Sequence, residues 1–312
     1  MKYITLNTEQ KIPVIGLGTW KSSAGNIYQA IRWSIKLGYT HFDCAPIYGN
    51  QSEIGLAIHD AINEDNMKRE NLFITSKLWN DSHHPDDVIP SIKQTLKELQ
   101  LDYIDLLLMH WPIAQKKGTN IPTSDNDMIS LSQIPLEETW YKMEEAHQEG
   151  LCKAIGVSNF GQKNLALLIE KGNIIPALNQ IECHPYLPQN ELINYCHKNN
   201  IAVTAYSPLG STDRNYKNED EPSLFEDETL KEIATKNNIS IAQLLLAWQI
   251  NRNVIVIPKS TQEIHLQQNI ASIMINLDED DINNISEITT KYRYISGQSF
   301  AYGDYSVDKI FA

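Results

Sequence analysis

The sequence predicts an α/β protein: a (β/α)8 TIM barrel with an N-terminal β-hairpin and extra helices and loops at the C-terminal end. Three observations predict it. Roughly eight short runs of Ile, Leu, Val and Ala recur along the chain, each followed by helical spacing, as for parallel strands buried on both faces. Polar residues suited to catalysis stand at most of the run ends, where a barrel gathers its chemistry. An open doubly wound sheet fits the alternation too, but would concentrate such residues at one switch point. Neither a linker nor a close internal repeat divides the sequence, so residues 1–312 read as a single domain, a size that α/β barrels reach.

The elements follow in order. Tyr3–Leu6 and Ile12–Val14, around polar Asn7–Lys11, form the hairpin. Ile15–Thr19 is the first core strand. A helix then runs to about Leu37, and His41–Asp43 is the next strand. A helix over Gln51–Asn63 leads to the strand Leu72–Lys77. Pro85 opens a helix to Leu99, because proline is tolerated in a first turn, and Tyr103–Met109 follows. After the Pro/Gly/Ser/Asn loop Pro112–Ser132, a helix reaches about Glu149. Ala154–Val157, Ala177–Gln180 and Ala202–Ala205 are strands, separated by helices over Gln162–Lys171 and Glu191–Asn199. A polar loop, Gly210–Glu228, precedes helices near Leu230–Asn237 and Ile241–Ile250. Val254–Ile257 is the last strand. Helices near Glu263–Ala271 and Asp280–Lys291 and an irregular tail complete the chain.

Composition narrows the class. The chain is 42% hydrophobic and 21% charged, with a net charge of −13. That balance opposes a general nucleic-acid or anionic-membrane binder. The four cysteines, Cys44, Cys152, Cys183 and Cys196, are scattered without a CxxC pair and read as reduced thiols. The first residues lack an apolar signal core, and no apolar run approaches a membrane span. A cytoplasmic protein is expected.

Thr40–Asn50 organises the rest. An apolar run ends in Asp43, a Pro-containing turn carries Tyr48, and Gly49-Asn50 opens a helix. Ile74–Lys77 ends a run with a lysine and Leu106–His110 ends one with a histidine. A phenol is a poor acid at neutral pH. An ammonium ~4 Å away, at an effective dielectric of ~20, favours the phenolate by about 4 kcal/mol, up to roughly three pKa units. Lys77 beside Tyr48 is therefore expected to lower the pKa of the phenol towards neutrality. Asp43 would keep the buried ammonium charged, and His110 would place a carbonyl oxygen against Tyr48. Each residue alone has a plainer reading: a packed tyrosine, a solvated lysine, a core histidine, a helix-capping aspartate. Together they form a proton-handling set that needs an external source of reducing power.

The sequence resembles the aldo-keto reductases over nearly its whole length. The matching runs are Gly16–Lys21, Phe42–Asn50, Ile74–Trp79, Leu108–Pro112, Ile155–Phe160, Asn179–Pro185, Ala205–Ser211 and Ile257–Ser260. Ser211–Arg214 with Glu221–Leu224 points to the aldehyde and aldose reductase branch. The resemblance implies NADPH-dependent reduction of aldehydes to primary alcohols by hydride transfer from nicotinamide C4. It implies that Tyr48 is the proton donor, Lys77 and Asp43 its tuning pair, and His110 the orienting residue. Ser158, Asn159 and Gln180 match carboxamide contacts, and Tyr206 a phenol stacked on the nicotinamide. Thr19, Trp20 and Lys21 fall beside them. Ser207, Leu209 and Ser211 match a loop over the pyrophosphate, with Asp213 a latch partnered by Lys21 and Lys259. Lys259 and Ser260 match the 2′-phosphate site, and Asn269 an adenine contact. A monomer is implied, as is a small-molecule carbonyl substrate.

Departures from the family pattern matter as well. His265 stands where NADPH-preferring reductases commonly carry arginine, and Gln268 where relatives often have Glu. Histidine lacks the permanent charge and bidentate fork of arginine. NADPH over NADH is expected, with some NADH use. The family does not use a GxGxxG fingerprint, so its absence is not evidence against a dinucleotide. His83-His84-Pro85 reads as a solvated loop and no metal is expected. The acidic run from Asn218 to Glu228 reads as a solvated loop, or by resemblance a lid over the cofactor.

Trp20, Trp79 and Trp111 follow strand-end motifs and suit an apolar pocket with one polar anchor, Tyr48 and His110. The tail from Tyr294 to Ala312 departs from aldose-reductase-type tails, with Arg293 and Lys309 as candidates for an acid contact. Two rivals remain at this stage. One is a non-catalytic cofactor-binding relative. The other is an enzyme of this family that works mainly in the reverse direction, oxidising polyols or alcohols through the same site.

Overall fold

The computed structural model describes every residue except 24, 66, 215, 216 and 219. A two-stranded hairpin comes first: β1 (Tyr3–Thr5) and β2 (Lys11–Pro13) pair antiparallel, with Tyr3 opposite Pro13. The barrel strands are β3 (Leu17–Gly18), β4 (His41–Asp43), β5 (Phe73–Leu78) and β6 (Leu106–Met109). Two short strands, β7 (Ala114–Gln115) and β8 (Met128–Ile129), then pair antiparallel inside the loop after β6. The barrel resumes with β9 (Ile155–Ser158), β10 (Leu178–Glu182), β11 (Ala202–Tyr206) and β12 (Ile255–Val256).

All barrel pairs are parallel, in the spatial order β12-β11-β10-β9-β6-β5-β4-β3. The ring closes between the two ends of that order. Ile15 bridges Val256, Gly16 N donates to Val256 O at 2.8 Å, Val256 N to Val14 O at 2.9 Å, and Gly18 N to Pro258 O at 3.1 Å. The seam demands glycine: a Cβ on Gly18 would lie 2.6 Å from Ile257 O.

Helices α1 (Asn26–Lys36), α2 (Gln51–Glu64), α3 (Pro85–Leu99), α4 (Leu136–Gln148), α5 (Gln162–Lys171) and α6 (Asn190–Lys198) follow successive strands. After β11 come α7 (Glu228–Lys236) and α8 (Ile241–Asn251), then α9 (Glu263–Ala271), α10 (Glu279–Ser286) and a short α11 (Val307–Ile310) in the tail. Their apolar stripes seal the outside of the barrel, as in the buried set Ile31, Ile58, Leu96, Trp140, Leu168 and Leu266. Inside, Leu6 and Ile12 of the hairpin meet Phe73, Leu106, Leu108, Leu178 and Ile255, closing one mouth. The C-terminal strand ends, including Asp43, Leu78 and Tyr206, all lie at the other mouth.

The predicted fold holds, and the element ends shift by a few residues. The first and last core strands shrink to two residues each, because much of Ile15–Thr19 and Val254–Ile257 closes the seam through single bonds. The first helix, expected after Trp20-Lys21, begins at Asn26. The tail is less irregular than expected, since α11 is capped by Ser306 Oγ, which accepts from Lys309 N at 3.3 Å. The cysteines are buried and unpaired. Among the described residues no helix is long and apolar enough to cross a membrane.

Candidate active site

Asp43 ends β4 and Lys77 lies near the end of β5, two neighbouring strands. The side chains therefore rise side by side into the mouth. Lys77 Nζ donates to Asp43 Oδ1 at 2.5 Å and to Cys44 O at 3.0 Å. Both side chains are sealed from solvent. Gln180 Nε2, from β10 across the barrel, donates to the other carboxylate oxygen, Asp43 Oδ2, at 2.7 Å. The backbone of Asp43 is fixed as well, because its carbonyl accepts from Thr19 Oγ1 at 2.8 Å. Thr19 is in turn held through its own carbonyl by Asn50 Nδ2 at 2.9 Å.

Tyr48 ends the 3-10 turn Pro46–Tyr48, which Gly49 terminates at φ 68°. The turn brings the phenol over β5, and Lys77 Nζ donates to Tyr48 OH at 3.3 Å. Desolvation by burial pulls the Lys77 ammonium down, but the Asp43 charge and the Tyr48 contact outweigh it and leave its pKa raised. Tyr48 departs from expectation. Crowding of its hydroxyl by protein atoms is the largest influence, and it pushes the phenol up to about 12 against the opposing pull of Lys77. The sequence names the neighbouring cation but not the desolvation of the phenolate, which wins here. The proton thus stays on Tyr48 across the neutral range.

His110 sits just past β6. Its ring meets Tyr48 edge-on at 6.0 Å between centroids and Trp79 edge-on at 5.0 Å. Desolvation first, then the positive charge of Lys77, holds the imidazole far below its ordinary pKa, so it is neutral at pH 7. Its carbonyl accepts from Asn159 Nδ2 at 2.9 Å. Tyr206 OH donates to Asn159 Oδ1 at 2.7 Å, and Ser158 Oγ to Gln180 O at 2.9 Å. One network therefore ties the ends of β6, β9, β10 and β11 to the Asp43–Lys77 pair.

Among the described residues, Lys21 (φ 62°), Asn159 (φ 64°), Gln189 (φ 53°) and Ser207 (φ 46°) in the loops of this face hold a left-handed backbone. Such conformations cluster at ligand clamps. Beyond them, Lys21 Nζ donates to Asp213 Oδ1 at 2.8 Å and to Ser211 Oγ at 3.1 Å, while Lys259 Nζ lies 3.6 Å from Asp213 Oδ2. Asp213 thus bridges the two cations that the sequence paired with it. Leu209 is half-buried and Ser211 buried beneath this strap. Next to Asp213, Arg214 forms a buried ion pair with Glu221, and Tyr292 OH donates to Glu221 Oε2 at 3.0 Å. The expected lid, Asn218–Glu228, falls partly outside the described residues. Ser260 Oγ accepts from Gln262 N at 3.1 Å at the start of α9, whose Asn269 is buried and whose His265 and Gln268 are exposed.

The three tryptophans differ. Trp20 is exposed beside Tyr48, 6.5 Å between centroids. Trp79 and Trp111 are buried against Phe300, with Ile113, Met128, Tyr305 and Ile310 completing the cluster. Trp79 Nε1 donates to Asn120 O at 3.2 Å, so its N–H serves the loop. The tail forms this far wall, held by Tyr305, which accepts from Ala114 N at 3.0 Å and donates to Ile129 O at 2.7 Å. Arg293 lies over the Phe311 ring and 3.9 Å from Glu182 Oε2 of β10, and Lys309 donates to Asp304 O at 2.7 Å, so both expected acid-contact cations already have partners on the protein.

His83 corrects the reading of His83-His84-Pro85 as a solvated loop. Only His84 is exposed, and its ring accepts from Asp86 N at the start of α3; His83 is 1% exposed, because the turn after Trp79 folds inward. Glu182 was also missed. Its carboxylate accepts from Tyr294 N at 2.6 Å and Ile295 N at 2.9 Å, anchoring the tail. The signal existed: alternation along β10 puts Glu182 on the same side as Gln180.

Residues 14–290 match the sequence profile of the Aldo/keto reductase family. The chain belongs to that family. Aldo-keto reductase family 1 member A1 of Xenopus tropicalis is 44% identical over 297 residues, covering 95% of this chain and 91% of that one. Aldo/keto reductase slr0942 of Synechocystis sp. is 44% identical over 299 residues, with 95% and 91% coverage. The solved aldose reductase from Schistosoma japonicum shares the fold at a TM-score of 0.89 and 36% identity, over 96% of each chain. Membership makes this aldo/keto reductase an oxidoreductase, and its homologues imply carbonyl reduction.

Proposed function

We propose that this chain reduces aldehydes to primary alcohols with NADPH, with Tyr48 as proton donor. The contact series Asp43–Lys77–Tyr48, at 2.5 and 3.3 Å and faced by a neutral His110, carries the reading. The groups present suit a nicotinamide dinucleotide. Gln180 Oε1 is left to accept from a carboxamide, and the Ser158 hydroxyl can rotate to donate. Tyr206 is half-buried, with part of its surface open. Lys21 and Lys259 flank a single carboxylate, leaving positive charge for a pyrophosphate. Lys259, Ser260 and the exposed His265 are the candidates for a 2′-phosphate, and Thr19, Trp20, Ser207, Leu209, Ser211 and Asn269 for further contacts.

Such a cofactor supplies the reducing equivalent to the carbonyl carbon. The chain does the rest. His110, uncharged, donates a hydrogen bond to the carbonyl oxygen and sets it against Tyr48 OH. As charge gathers on that oxygen, the phenol releases its proton to it, and Lys77 stabilises the phenolate left behind. Asp43 keeps Lys77 charged and in place. Trp20, Trp79 and Trp111 offer an apolar wall to the remainder of the substrate.

The test is NADPH consumption with glyceraldehyde, nitrobenzaldehyde and xylose. Turnover of at least one aldehyde is expected. No oxidation of NADPH with any of the three would refute the reading.

A further inference from the structure

Seven buried polar atoms on and around His110 have no hydrogen-bond partner on the protein: Asn80 Nδ2 and Oδ1, His83 Nδ1 and Nε2, Gln115 Nε2 and Oε1, and His110 Nδ1. The fold brings these residues to one region. Asn80–Ser82 is a 3-10 turn that directly follows Trp79, whose ring packs on His110. His83 ends the turn and is pinned by Thr139 Oγ1, which donates to His83 O at 2.8 Å. Gln115 lies on β7, five residues beyond His110, and β7 packs against that same turn. Asn80, His83 and Gln115 are each no more than 1% exposed.

A buried polar group left unsatisfied gives up its hydration with nothing in return, so seven gathered in one region call for partners. A guest able both to donate and to accept must serve them, and water is the smallest. An enclosed water makes about three hydrogen bonds, so two or three molecules suffice.

The chemistry of His110 gives that guest a task. A neutral imidazole carries one N–H and one acceptor nitrogen. To donate to a carbonyl from Nε2, the ring must keep Nδ1 bare, and the group facing Nδ1 decides the tautomer. We propose that Asn80, His83 and Gln115 hold an enclosed water cluster that donates to His110 Nδ1 and so keeps the proton on Nε2, making the three positioning residues for the substrate carbonyl. The proposal rests on the reading of His110 as the carbonyl-orienting group.

Nitrogen NMR of the full chain with 15N-labelled histidine tests it, with the His110 signals assigned by their loss in His110→Asn. The wild type is expected to show the Nε2–H tautomer alone near neutral pH. Gln115→Leu is expected to show mixed tautomers and to lose about tenfold in kcat/KM, roughly one hydrogen bond, with cofactor Kd unchanged. A proton on Nδ1 in the wild type overturns the proposal whether or not any variant folds. So does a Gln115→Leu protein with wild-type tautomer and wild-type kcat/KM. Because the tautomer is read without turnover, this result is separable from the aldehyde assay.

Discussion

Lys77 Nζ lies 2.5 Å from Asp43 Oδ1, with both side chains sealed from solvent. Coulomb attraction at this distance offsets the desolvation of both charges only while both are present. Removing one partner strands the other, at a cost of about 3–5 kcal/mol. Asp43→Asn is therefore expected to lower unfolding stability by that amount in urea, and to reduce turnover because Lys77 is no longer held charged. A loss below about 1 kcal/mol would show that the pair is not coupled as its geometry implies.

Asp213 joins Lys21 and Lys259 across the mouth. Burial raises the Asp213 carboxyl, yet the Lys21 hydrogen bond wins and leaves it lowered, so the strap is charged at pH 7. Asp213→Asn weakens both contacts. Stopped-flow release of NADP+ is expected to speed up, with Kd rising about tenfold and kcat holding or increasing where release limits turnover. A collapsed kcat with unchanged Kd would assign Asp213 a different role.

His265 is exposed on α9 and stands near the proposed 2′-phosphate site. The ratio of kcat/KM for NADPH over NADH is expected to favour NADPH modestly and to grow about tenfold in His265→Arg, as a permanent bidentate cation replaces an imidazole. A wild-type ratio in the many thousands would contradict the weakening; a preference for NADH would overturn the cofactor choice.

Burial holds His41 at about 4 and His83 at about 3, both below the ordinary 6.5. The unfolded chain therefore binds protons below pH 6.5 that the folded chain refuses. The stabilisation is intact above pH 6.5 and is lost as pH falls towards the folded values. Each histidine adds a slope of about 1.4 kcal/mol per pH unit in that window. Urea unfolding of His83→Gln should show the slope reduced by one proton's worth; an unchanged slope would mean that His83 is already accessible to protons.

The barrel was legible because short buried runs such as Leu106–Met109 recur between helical stretches. Asp43, Tyr48, Lys77 and His110 were legible because strand ends fix where side chains emerge. What was not legible depends on distance in space. The pairing of Gln180 with Asp43 joins residues 137 positions apart, and no local pattern encodes it. The inward turn of His83 hides in a polar stretch that resembles a solvated loop. The acidity of Tyr48 was misjudged because a sequence names the neighbouring cation but not the depth of burial that opposes it.

Tyr48→Phe probes the central claim most directly, since it deletes one hydroxyl and leaves the ring. Turnover with an aldehyde that the wild type reduces is expected to fall by at least about a hundredfold, the lower range for a lost proton donor, while NADPH binding by fluorescence changes less than about twofold. A variant with near-normal kcat would contradict the account, because the proton would then come from another group.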